Sequence, residues 1–149
     1  MLPYLQNLLD HSCRLDVVND VYRSTSLKQH VRGIRGTGGG INRVQNLTKL
    51  PKDWHSFLRN DNNKTLLVKF LAEEVIRKIR YGEKEVYFTY GDEVHSTPTG
   101  DTESLKPCNH EEADSRIFFH TENASRSGSY SFMIRTNDRD GCFVLNQAQ

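Results

Sequence analysis

A charge imbalance, paired cysteines and long apolar runs are all missing from this chain of 149 residues. Twenty Lys and Arg against nineteen Asp and Glu leave a formal net charge of +1, so attraction to nucleic acid must come from the placement of charge, not from its sum. Three cysteines, Cys13, Cys108 and Cys142, are an odd number without CxxC spacing. That argues against a disulfide framework and for a reducing compartment. No stretch approaches the ~20 apolar residues of a bilayer span. The segment from Met1 to Cys13 also lacks the basic start and small-residue cleavage site of a signal peptide. The chain is therefore expected to be intracellular, nuclear or cytoplasmic, not secreted, and without a membrane partner. Mean hydropathy is low at −0.68, yet thirteen Tyr and Phe accompany the lone Trp54, a composition expected of a globular chain with long polar loops. The length suits one domain.

Leu2, Leu5, Leu8 and Leu9 recur at helical spacing and lead into Leu15-Asp16-Val17-Val18, a strand-like run that ends near Asp20. From about 24 to 46 the pattern fails. Gly33, Gly36 and Gly38-Gly39-Gly40 allow no periodic apolar face, and a flexible Gly-rich basic loop is expected there. Trp54, Phe57 and Leu58 make an apolar knot before Asn60-Asp61-Asn62, which suits a helix N-cap. The spacing of Leu66, Leu67, Phe70, Leu71, Val75, Ile76 and Ile79 predicts a helix over 63–80. Glu85 to Tyr90 reads as a strand and Gly91 to Lys106 as a loop. A second helix is expected over 110–125, capped by Asn109, with Ala113, Ile117, Phe118 and Ala124 inward. Strands over 130–136 and 142–145 follow. The order strand, helix, strand, helix, strand predicts an α/β fold with a mainly parallel sheet flanked by helices.

Acidic residues gather where these elements begin and end: Asp20, then Glu111, Glu112 and Asp114, then Asp138 and Asp140. Sites in α/β sheets form at such strand ends. Carboxylates drawn together there repel unless a hard cation such as Mg²⁺ or Mn²⁺ neutralises them, and two such ions can promote phosphodiester hydrolysis. Glu112 and Asp114 diverge by roughly 200° on a regular helix and converge only at its start. Acids in a first helical turn, or in a turn such as Asn137-Asp138-Arg139-Asp140, also occur without metal, so spacing alone leaves both readings open.

Other motifs fall short. Gly36-x-Gly38-Gly39-Gly40 is followed by no Lys-Ser/Thr and preceded by no strong strand, so neither the P-loop nor the dinucleotide fingerprint is met. Cys108, His110 and His120 lack the second ligand pair of a zinc site. Cys142 lies in an apolar run and reads as core.

The run Cys108-Asn109-His110-Glu111-Glu112-Ala113-Asp114-Ser115-Arg116-Ile117, followed by a helix, a strand and Asp138-Arg139-Asp140, resembles a family of mobile-element-associated animal proteins. That family looks like a divergent branch of the PIN-like, flap-endonuclease-like nucleases. Asp20-Val21-Tyr22, Ser26-Leu27-Lys28, Arg32-Gly33, Arg43-Val44, Leu50-Pro51-Lys52-Asp53-Trp54 and Asn62-Asn63-Lys64 are similar to its upstream and middle segments. The resemblance implies metal-dependent nuclease chemistry, with Glu112 and Asp114 as one pair of catalytic, metal-binding acids and Asp138 and Asp140 as the second. Asp20 is implied as a further metal ligand, Mg²⁺ or Mn²⁺ as cofactor, and Lys28, Arg32, Arg35 and Arg43 as contacts to nucleic-acid phosphates. The family pattern also has an earlier strand ending in another metal-binding aspartate and continues beyond Asp140. Arg139 stands where a small neutral residue is usual, and Gly141 where an apolar one is. Residues 1–149 are thus expected to form a single, partial PIN-like domain with impaired catalysis. Missing strands would expose a sheet edge and favour self-association. The alternative is a non-catalytic nucleic-acid-binding or protein-interaction module of mobile-element origin.

Overall fold

In the computed structural model, residues 1–21, 49, 51–106, 109, 110, 112–137 and 141–147 are described, with 136, 137 and 141–147 described by backbone alone. The basic loop expected around 24–46 lies outside the described residues, as do Cys108, Asp138 and Asp140. The chain divides into two compact units, residues 22–71 and residues 1–21 with 72–149.

Within residues 22–71, helix α2 (Trp54–Arg59) starts at Asp53, whose carboxylate accepts the Ser56 N–H at 2.9 Å. This is the N-cap geometry expected of a short acceptor before a helix. Trp54 stacks on the buried Phe57 with ring centroids 5.2 Å apart. The next helix, α3 (Asp61–Lys78), begins and ends two residues before the expected 63–80, with Asn60 Oδ1 accepting the Asn62 N–H. Buried Asn63 donates to the Phe57 carbonyl, which turns one helix into the next. Past residue 71, α3 buries Ala72 and Val75, followed just beyond the helix by Ile79. It turns Glu74 outward to pair with Arg77 and Lys78.

The remaining residues build a five-stranded sheet in which β1 (Arg14–Asn19) is central. β1 pairs in parallel with β2 (Glu85–Tyr90), and β2 pairs antiparallel with β3 (Glu93–Ser96). On its other side β1 pairs antiparallel with β5 (Gly141–Gln147), and β5 with β4 (Ser131–Asn137). The fold is mixed α/β, and the expectation of a mainly parallel sheet is corrected: β1 and β2 are the parallel pair, and the other three pairings are antiparallel. The reason is local. The segment read as a loop after Tyr90 folds straight back, because Gly91 at φ +53° opens a two-residue hairpin turn of the kind that favours glycine at its first central position. A 3₁₀ turn (Glu103–Leu105) further along seats Leu105 against Tyr87 and Val94. β4 and β5 likewise form a hairpin where a crossover is needed for parallel pairing.

Helix α1 (Leu2–Asp10) carries Pro3 in its first turn and buries Leu5, Leu8 and Leu9. Helix α4 (Ala113–Arg126) contacts β1 and β5 and buries Ala113, Ile117 and Ala124 with Val18 and Phe132 nearby. Phe118, expected inward, is 76% exposed, and the buried side of α4 instead holds Arg116 and His120. The helix ends at Gly128, φ +97°, with Ser129 N–H bonded to the Ala124 carbonyl and Gly128 N–H to Ser125. This paired closure needs a left-handed residue, a conformation that glycine adopts at least cost. Gly91→Ala and Gly128→Ala should each lower unfolding free energy by about 1 kcal/mol in urea titrations. Gly128→Asn should cost less than Gly128→Ala.

Candidate functional site

Alternation along β1 puts Leu15 and Val17 on one face and Arg14, Asp16 and Val18 on the other, which α4 covers. That second face is charged at its centre. The Asp16 carboxylate, fully buried, accepts two bonds from Arg14, Nε to Oδ2 and Nη2 to Oδ1, each 2.9 Å. Its Oδ1 also lies 2.7 Å from His120 Nδ1 on α4. Arg14 reaches further, donating to Asn123 Oδ1 at 2.7 Å and lying 4.1 Å above the centre of the Tyr87 ring. The parallel register, Asp16 opposite Tyr87, is what brings that ring onto the same face. Full burial pushes the Asp16 carboxyl up, but the His120 hydrogen bond and the Arg14 charge outweigh it and hold the carboxyl below its ordinary range. Burial pushes the Tyr87 phenol to about 12 against the pull of Arg14. An ionised Asp16 only accepts, so His120 carries its proton on Nδ1 and donates it. His120 Nε2 is buried and finds no hydrogen-bond partner among the described residues.

The carboxyl ends of β1 and β2 lie past this network, where α/β sheets place their sites. Asn19, at the end of β1, is held by Thr89 on β2 through a bond at each of its amides, backbone N–H to Oγ1 and Nδ2–H to the carbonyl. Asp20 follows, and its Oδ1 accepts the Ala113 N–H at 2.8 Å. It therefore caps α4 from 93 residues away, in place of the expected Asn109. Glu112 stands at the cap position without a side-chain cap bond, and Asp114 is exposed in the first turn. Arg116, 1% exposed, fastens the same corner: its guanidinium donates to the carbonyls of His110, Asn19 and Gly91 at 2.6, 3.3 and 2.6 Å.

The structure thus brings Asp20, Glu112 and Asp114 to one end of the sheet. Gly141, which follows Asp140 in sequence, is paired with Asn19, which precedes Asp20. Asp138 and Asp140 themselves lie outside the described residues, as do Lys28, Arg32, Arg35 and Arg43. Among the described residues no group of three or more His, Cys, Asp or Glu side chains could hold a metal ion. Sequence reasoning missed Arg14, Asp16, Arg116 and His120. The available signal was Asp16 itself, an acid inside an apolar strand run with an Arg two residues before it on the same face. No helix among the described residues is long and apolar enough to cross a membrane. Comparison of the chain with protein-family models, curated proteins and solved structures finds no match to any of them.

Two outcomes follow from these contacts. Asp16→Asn leaves the Arg14 charge buried without its counter-ion and should cost on the order of 3 kcal/mol in chemical denaturation. The native Asp16 carboxyl titrates below its unfolded value of about 4, so its contribution is present above that pH and is lost as pH falls through the lower, folded value. Acid unfolding followed by circular dichroism should accordingly be less steep in Asp16→Asn than in the native chain. Asp20→Ala should cost about 1 kcal/mol by uncapping α4, whereas Asp20→Asn, which keeps an acceptor, should be nearly neutral.

Proposed function

We propose that the chain is a divergent PIN-like domain whose acid-bearing sheet end serves metal-dependent cleavage of nucleic-acid phosphodiesters. The observation that carries this reading is the 2.8 Å bond from Ala113 N–H to Asp20, which joins the end of β1 to the start of α4 and so gathers Asp20, Glu112 and Asp114. Acids at the carboxyl end of a parallel strand pair are suitably placed for Mg²⁺ or Mn²⁺, which prefer oxygen ligands and keep several waters. The described acids alone do not fit an ion, since they make no metal-holding group. Glu112 and Asp114 would hold it only together with Asp138 and Asp140. Lys28, Arg32, Arg35 and Arg43 are the proposed phosphate contacts, with affinity falling as salt rises.

One observation favours a second reading, a non-catalytic nucleic-acid-binding module. Asp20 Oδ1 is committed to capping α4, a structural duty that persists without metal. Calorimetric titration with Mn²⁺ separates the two. The nuclease reading expects saturable binding that Asp114→Asn with Asp140→Asn abolishes, together with Mn²⁺-dependent cleavage of single-stranded or branched substrates. Absence of Mn²⁺ binding, combined with salt-dependent retention of nucleic acid, would establish the module instead.

A further inference from the structure

We infer that the chain self-associates through its outer strand β4, which pairs antiparallel with β4 of a second copy across a two-fold axis at Ile134. One sheet then continues through both copies. Among the described residues β4 closes the strand order on one side, and it runs in unbroken one-to-one register with β5 from Ser131 opposite Gln147 to Asn137 opposite Gly141. Its outward backbone groups therefore form a straight seven-residue template. The opposite outer strand, β3, has four residues.

Outer strands are ordinarily kept from pairing by charged side chains, lysine above all, by proline, a bulge or shortness, or by a covering helix or loop. Among the described residues β4 has no lysine, proline, bulge or cover, and its one charged residue, Arg135, donates a hydrogen bond to the Tyr4 hydroxyl of its own chain. It also displays apolar side chains on both faces, since the successive residues Met133 and Ile134 are 51% and 49% exposed. On the Met133 side, α1 leaves a cavity of about 390 Å³ between Leu8 and β4. On the α4 helix, Phe118 and Phe119 are exposed as well.

A second copy fits this strand because the sequence of β4 complements itself. Full overlap of two seven-residue strands puts the axis on the middle residue, Ile134. Met133 then faces Arg135, Phe132 faces Thr136 and Ser131 faces Asn137. The single charge meets an apolar thioether rather than its own copy, and two Ile134 side chains meet on the axis. The contact is isologous and closes after two copies.

Sedimentation velocity of the full chain over a wide concentration range should show a monomer–dimer equilibrium. Ile134→Lys sets two lysines face to face on the axis and should weaken the dimer by roughly tenfold or more. Met133→Glu, equally polar, instead faces Arg135 of the second copy and should keep the dimer or tighten it. A chain that stays monomeric throughout overturns the inference. So does loss of the dimer in both variants, which would mark association through a general apolar patch. Far-UV circular dichroism checks the fold of each variant, and should Ile134→Lys fail to fold, Met133→Glu decides alone: weakening refutes the β4 pairing and retention supports it.

Discussion

An ion pair closed inside the sheet–helix layer constrains this fold in a way that apolar contacts do not. Arg14 and Asp16 sit on the inner face of the central strand, where charge is costly unless every lone pair and proton is used. Two guanidinium bonds and one imidazole bond reach both carboxylate oxygens, and the imidazole comes from α4. The helix is thereby fixed in rotation and height over β1, since a one-residue slip would remove His120 from Asp16 and leave charge bare. Tyr87 and Asn123 extend the same demand to β2 and to the last turns of α4. Hydrophobic burial of Val18, Ala113 and Ile117 alone would tolerate sliding; the polar contacts do not.

Position at the sheet end follows from that rotation. With His120 docked, the first turn of α4 meets the residues just after β1, and Asp20 reaches Ala113. Arg116, one turn before His120, then lies where three backbone carbonyls converge. The acids that invite a functional reading are held in place by groups outside that acidic set. A planar guanidinium supplies the fork of donors this corner requires, which a lysine ammonium cannot reproduce.

Much of the layer order was legible in the chain. Leucine spacing gave α1, the Leu15 to Val18 run gave β1, and the stripe ending at Ile79 gave α3, because one-sided burial leaves its period in sequence. β3 was hidden, since Glu93-Val94-His95-Ser96 contains one apolar residue and sits before Pro98 and Gly100. The α4 cap was invisible for a different reason: local spacing pointed to Asn109, while the acceptor in use is Asp20, remote in sequence. The Arg14, Asp16 and His120 centre was missed because no periodicity shows which charged side chains are paired within the layer. Asp20, Glu112 and Asp114 were legible as acids at element ends, but the bond from Ala113 N–H to Asp20 that sets them at one end of the sheet is a contact that no short window contains.

The pairing of the central strand also orders the chain in time. β1 finds its parallel partner only at 85–90, its helix at 113–126 and its antiparallel partner at 141–147. During synthesis on the ribosome, Arg14 and Asp16 must therefore emerge long before either His120 or β5 exists to cover them. Such non-local closure delays folding until most of the polypeptide is available. A polar pair in the strand keeps that waiting segment hydrated, where an all-apolar strand would invite premature association with other nascent chains.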